Sequence, residues 1–459
     1  MKIAVFFIGR KRPGFDREWG AALEQKIREQ LKNSPFQPFF YSPVTDESAF
    51  KNAIDAAKEA AAEVLIVAQP TMGDGNLAPF LIAEWDSPVI LWATPENPQN
   101  PKVSACSLVG AHNWAAEMSQ LGCPPILVYG LPNDAATSAE LNEAVRIAAS
   151  AKKLRHACVG LIGDHAPGFL NMATDAAAMQ RLLGVRLKRF GLHEFNALVR
   201  SFSDSEVAAD RRKAEALKLP IRSGVTVSDR DWNISSRYYL AVKKMVEEES
   251  LDAAALRCWP ELPNEFGVWA YLAVARLASD GINICEEGDV EGAIDCLITQ
   301  SLGISVPAYN SDWLEHNDAS ILLWHAGATP FEMCEPIGTP DGPTLDVHFN
   351  TQKPLVVDAL LRVGMPVTLF RIWRFKNQYR LALCEGTVRR PNRIVEGCAG
   401  LVEVRGGGVK QFFQKILLNG MPHHVTVVQG RRGDTLQTFA ERYQPYPIDI
   451  VQRIGEARS

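Results

Sequence analysis

Five side chains in the second half of the chain have the types needed to hold a cation and move protons: Glu287, Asp312, His325, and the adjacent His423 and His424. Carboxylates with imidazoles make a cradle for a hard or borderline divalent ion, and the same acids can relay protons. Glu286, Glu287 and Asp289 bunch where an apolar run gives way to a helical one. The plain reading is that Asp289 caps a helix beginning at Val290, with the glutamates favoured by its positive N-terminus. Three crowded acids also repel one another, and a bound cation relieves that, which favours a metal. Asp312 follows the next apolar run, in Asn310-Ser311-Asp312-Trp313. Alone it reads as a turn aspartate; paired with Glu287 through one crossover helix, it becomes a co-ligand. His325, in Trp324-His325-Ala326-Gly327, reads equally well as a structural histidine. His423 and His424 open a strand after Gly420-Met421-Pro422. Histidine is the commonest metal ligand. Consecutive strand residues face opposite sides, so one of the two is expected to bind.

Positioning these groups requires a sheet, and the pattern around them supplies one. Continuous apolar runs at Ile3–Ile8, 64–68, 89–92 and 126–129 alternate with helical spacing at 19–31, 50–62 and 138–152. Buried strands separated by helices indicate a parallel sheet covered on both faces. A second such unit begins near His156, with strands at 158–163 and 185–190 and helices at 204–217, 235–248 and 264–279. Residues 282–285 and 304–308 are expected to be neighbouring parallel strands joined by the helix 290–302. Ligands in open α/β sheets gather outside the carboxyl ends of the strands, which would bring Glu287 and Asp312 together. After about Pro340 the pattern turns to strands, including a hairpin at 367–385. The expected fold class is therefore α/β: two Rossmann-like parallel-sheet domains (1–155 and 156–345), then a β-rich C-terminal domain (346–459).

Composition excludes several classes. The chain has 459 residues, 47% hydrophobic and 22% charged, with a formal net charge of −5, an ordinary globular composition. The acidic balance argues against nucleic acid as a partner. No apolar run approaches the roughly 20 residues of a membrane helix. The opening residues read as a strand rather than a signal peptide. Nine scattered cysteines suggest reduced thiols and a cytoplasmic location. No phosphate-binding glycine loop and no Gly-x-Ser-x-Gly elbow is present. On loops near the expected pocket, Trp259 and His165 are candidates for sugar contact. Arg10, Arg12, Arg257 and Arg371 are candidates for an anionic substituent.

The run Cys285–Ala293, then Asp312, then Trp324-His325-Ala326-Gly327, then His423-His424, resembles the L-fucose/L-arabinose isomerase superfamily. Arg12-Pro13-Gly14-Phe15-Asp16 is similar to the fucose isomerase opening loop. The resemblance implies an aldose–ketose isomerase using a divalent ion, usually Mn2+. It implies Glu287 and Asp312 as ligands and as the acid/base pair, and one of His423 and His424 as the late ligand. His325 matches a ligand of the arabinose branch only, so the site looks like a hybrid of two branches. It also implies a homotrimer or homohexamer, with Arg10 and Arg12 at a neighbour's active site. The substrate class is a monosaccharide: a pentose, a 6-deoxyhexose, or an acidic sugar such as a sulfonated hexose. Two other classes remain open, a non-catalytic sugar-binding protein and a metal-dependent hydrolase or lyase on the same fold.

Overall fold

The computed structural model describes residues 1–8, 15–73, 75–392 and 395–455. They divide into two compact units, Met1–Lys153 with Thr435–Pro447, and Leu154–Asp434 with Ile448–Ser459. The first carries a five-stranded sheet in the order Gln37–Val44, Lys2–Ile8, Val64–Gln69, Val89–Ala93, Ile126–Tyr129, parallel throughout. Every residue of Val64–Gln69 and of Val89–Ala93 is buried. That explains why these strands read as unbroken apolar runs, since both faces are covered.

The second unit contains two sheets. Four parallel strands run in the order Arg186–Phe190, Cys158–Ile162, Ala253–Leu256, Ile284–Cys285. Nine strands form a mixed sheet that includes Tyr309–His316, Ser320–His325, Pro366–Phe375, Gln378–Arg389, Cys398–Val404 and His424–Gln429. Because Cys398–Val404 pairs with both Ser320–His325 and Gln378–Arg389, this sheet closes on itself, leaving those six strands without a free edge between them. The hairpin expected at 367–385 is present, turning at Lys376 and Asn377. Two parallel α/β sheets followed by a β-rich sheet are thus as the sequence indicates.

One expectation fails. Residues 304–308 are not a strand, and Asp312 does not follow a strand of the parallel sheet. Gly303, with φ 77°, ends the helix Val290–Ser301, and Pro307 supplies no ladder N–H. The chain enters a strand only at Tyr309, and that strand is antiparallel to both its neighbours. Asp312 therefore lies on a strand of the closed sheet.

The helix Val290–Ser301 is buried from Val290 through Thr299 and packs against strands of both sheets of its unit. A helix buried on all sides belongs between layers. Its three acids are compensated from the closed sheet. Asp289, its N-cap, takes two bonds from the Arg371 guanidinium at 2.9 and 2.6 Å. Asp295 accepts from Thr426 at 3.0 Å, and Glu291 accepts from the Arg374 backbone N–H at 3.4 Å. Among the described residues no helix is long and apolar enough to cross a membrane.

Candidate metal and sugar site

Glu287 sits between the strand Ile284–Cys285 and the helix Val290–Ser301 at φ 62°, a left-handed conformation that costs a glutamate energy. Surrounding bonds hold it there. Its carbonyl accepts from Ala166 N–H at 2.8 Å, and Gly288 N–H donates to Leu256 O at 3.0 Å. A side chain at Gly288, itself at φ 73°, would meet Asp164 O at 2.3 Å. The strained turn aims the Glu287 carboxylate into a cavity of about 360 Å³, where Trp259 Nε1–H donates to Oε1 at 2.7 Å.

Asp312 and His424 arrive by cross-strand pairing. They are direct partners in the antiparallel ladder, and Trp324 is opposite Asp312 on its other side, so all three share one face. His424 Nε2 lies 3.1 Å from Glu287 Oε2 and 3.7 Å from Asp312 Oδ1. His423 Nε2 lies 3.8 Å from the same Asp312 oxygen. Donor atoms of Glu287, His423 and His424 fall within 4.8 Å of one another. His424 is fully buried, and its Nε2 meets the Glu287 carboxylate as an ion pair rather than as a well-aligned hydrogen bond. Its Nδ1 lies 2.9 Å from Asp289 Oδ2. A carboxylate only accepts, so that contact calls for a proton on Nδ1, with the Asn310 amide nitrogen 2.8 Å from the same ring atom. Nε2 points at Glu287 and Asp312, and beside these carboxylates it also carries a proton in the ion-free site. His423 differs: its Nδ1 faces the Asn171 amide nitrogen at 3.2 Å. An amide N–H donates there, which leaves the proton on Nε2.

Burial would lift every carboxyl here, and the neighbours decide which stay low. For Glu287, burial is outweighed by His424, His325 and the Trp259 N–H, and its pKa falls to about 2. Asp289 is held well below the carboxylate range by Arg371 and His424 against its burial. Asp312 has less help, and burial pushes it up to about 6. Glu286 rises to about 8 for the same reason. Burial pulls His424 down, but Asp289 and Glu287 more than reverse it; as a ligand it would have to release the Nε2 proton. Burial lowers His325 and His423 to about 4 each.

Of the residues singled out by sequence, Glu287, Asp312, His325, His423 and Trp259 line the cavity, with His424 buried behind it. His325 stands apart from the ion-binding group. Its Nε2 is 3.2 Å from Glu286 Oε1 and its Nδ1 is unpartnered. His165 does not line the cavity: its ring faces Asp164 Oδ1 at 3.0 Å, and its segment buttresses the Glu287 turn instead. Arg371 is fully buried against Asp289 and Asp295, and Arg257 is paired to Glu261 at 2.8 Å; neither reaches the cavity. Arg10 and Arg12 lie outside the described residues. Sequence reasoning missed Phe169, Trp269, Tyr271, His348 and Phe349 on the cavity wall, and Asp289 as the partner of His424. A histidine flanked by Val347 and Phe349 at a strand end was the available signal.

The donor set suits a divalent cation. Carboxylate oxygen and imidazole nitrogen together match borderline metals, and the Glu287, His423 and His424 donor atoms lie close enough together to share one ion.

Residues 358–450 match the family described as L-fucose isomerase, C-terminal domain. Sulfoquinovose isomerases of Priestia aryabhattai and Priestia megaterium are each 25% identical over 424 residues, covering 92% of this chain and 93% of theirs. The sulfoquinovose isomerase of Alkalicoccus urumqiensis is 24% identical over 462 residues, covering 98% and 99%. A putative two-component response regulator/GGDEF domain protein of solved structure aligns at a TM-score of 0.24 and 10% identity, covering 66% of this chain and 98% of that one, too little overlap to bear on the fold.

Proposed function

We propose, from the premise that this chain ends in an L-fucose isomerase C-terminal domain and has sulfoquinovose isomerases as distant homologues along nearly its whole length, that it is a metal-dependent aldose–ketose isomerase. The observation that carries the reading is His424, whose buried Nε2 converges with carboxylate oxygens of Glu287 at 3.1 Å and Asp312 at 3.7 Å. Glu287, Asp312 and His424 would hold the ion, Mn2+ or another divalent cation, with His423 at its edge. When bound, such an ion would polarise neighbouring sugar oxygens and ease removal of the proton beside them.

The chain's own residues supply the rest. Trp259 fixes the Glu287 carboxylate through Oε1, leaving Oε2 toward His424 and the site. Asp312, which burial makes the more basic of the two acids in the ion-free site, is the better placed to take and return a proton. We assign the transfer between adjacent sugar carbons to the Glu287/Asp312 pair. The aromatic wall of Trp259, Trp269 and Trp324 excludes water and packs on a sugar's C–H face.

The relatives make sulfoquinovose the first sugar to test, with pentoses and 6-deoxyhexoses beside it. Among the described residues no lysine or arginine lines the cavity, so a sulfonate would need a cation from elsewhere, Arg10 or Arg12 in a homotrimer or homohexamer. The test is an aldose panel with manganese in deuterated water. An isomerase forms ketose and takes up deuterium at C1 or C2; full activity after chelation, or bond cleavage in place of isomerisation, overturns the reading.

A further inference from the structure

The cavity wall is rich in ring N–H donors, and most are already committed. Trp259 Nε1–H is given to Glu287, Trp269 Nε1–H to Thr351 Oγ1 at 2.9 Å, and Trp324 Nε1–H to Glu396 O at 2.6 Å. His348 is different. It follows the strand Thr344–Val347, is 6% exposed, and lines the same cavity. Its Nδ1 accepts from two backbone N–H groups, Asn350 at 3.3 Å and Thr351 at 3.4 Å. A nitrogen receiving donors must offer a lone pair, so the ring proton sits on Nε2. Among the described residues no hydrogen bond engages Nε2, and it is not among the nitrogens sealed inside the protein.

The ring cannot turn away. It stacks on Trp269 at 4.1 Å between centroids with 12° between planes, and lies 4.4 Å from Phe349. Trp269 is locked in turn through Thr351, whose N–H also serves His348. The loop thus holds one N–H at the edge of an aromatic plate, the arrangement that recognises an oxygen on a ligand whose other face is apolar. Burial lowers the ring's pKa to about 4, so it meets the ligand as a neutral imidazole at pH 7.

We propose that His348 is a substrate-positioning residue, donating Nε2–H to one oxygen of the sugar while its ring continues the aromatic wall. This rests on the isomerase reading and adds a contact from a residue outside the ion-binding group.

His348→Phe keeps the plate and deletes the donor. With the aldose the wild type turns over, H348F should lower kcat/KM by about 10- to 100-fold, chiefly through KM. Its manganese affinity, followed by electron paramagnetic resonance titration, should be unchanged. One monodeoxy analogue should lose with the wild type what the parent loses with H348F, and H348F should not tell that analogue from the parent. His348→Gln, which restores a donor, should recover part of the loss. Wild-type kcat/KM in H348F overturns the proposal, as does an equal loss across every analogue. Should H348F not fold, His348→Leu carries the same comparison. If the wild type isomerises no aldose, the isomerase reading has failed, and His348 is judged by alditol binding followed through tryptophan fluorescence. There H348F must bind more weakly; equal binding, or none by the wild type, overturns it.

Discussion

His424 Nδ1 lies 2.9 Å from Asp289 Oδ2, and the same Asp289 carboxylate is gripped by Arg371 through both oxygens. One residue therefore caps a buried helix, neutralises a buried guanidinium and braces an imidazole. Carboxylates behind ligating histidines orient the ring and raise its basicity. Asp289→Asn keeps the cap but removes the charge. It should weaken manganese binding about 10- to 100-fold, measured by titration of the free ion. Wild-type affinity in this variant would show that the pairing is only structural.

The two neighbouring histidines should behave differently. His424 points Nε2 at the carboxylates with Asp289 behind its Nδ1, whereas His423 is held at Nδ1 by Asn171. His424→Gln is expected to abolish measurable manganese binding, and His423→Gln to reduce it only a few-fold. Calorimetric titration of both variants decides this; the opposite ranking would transfer the ligand role to His423.

Glu287 and Asp312 carry the proposed proton transfer. Glu287→Gln and Asp312→Asn should each cost about 10²- to 10⁴-fold in turnover with little change in far-ultraviolet circular dichroism. Deuterium uptake at the sugar carbons should fall in parallel. If exchange persists while net isomerisation stops, a different residue moves the proton.

Away from the site, Arg276 on the helix Tyr271–Ser279 bonds Asp210 on the helix Asp204–Ala216 at 2.9 and 2.8 Å, both nearly sealed from solvent. Removing one partner strands the other as a buried charge. Arg276→Met should therefore destabilise the protein by about 3–5 kcal/mol, read from urea unfolding. A double variant that also replaces Asp210 with Asn should recover much of that loss.

Much of this architecture is legible in the sequence because local patterns specify it. The runs at 64–68 and 89–92 are apolar throughout since both faces of a parallel sheet are covered, and Asp289 has the spacing of a cap. Glu287 is recognisable from crowded acids at a strand-to-helix change. The partner of Asp312 is not legible. The apolar run 304–308 looks like a strand, but Gly303 and Pro307 keep it out of the ladder, and Asp312 meets His424 through a register set 112 residues apart. Such pairing depends on closure of a whole sheet, which no local window contains. The aromatic wall was missed for a related reason: Trp269 and His348 come together by packing between segments, not by spacing within one.

Glu291 offers a test of the buried helix that does not depend on catalysis. Burial raises its carboxyl to about 7, ahead of the opposing pull of Arg371, from an ordinary value of 4.5. The native state therefore holds this proton more tightly than the unfolded chain. Its stabilising contribution is whole below about pH 4 and is lost as pH rises through about 7, levelling off above that. Glu291→Gln imitates the protonated form at every pH. Its urea midpoint should match the wild type at or below about pH 4 and exceed it at pH 8. Equal midpoints at pH 8 would mean that Glu291 is already ionised in the native protein, with Arg371 and Arg374 repaying its burial.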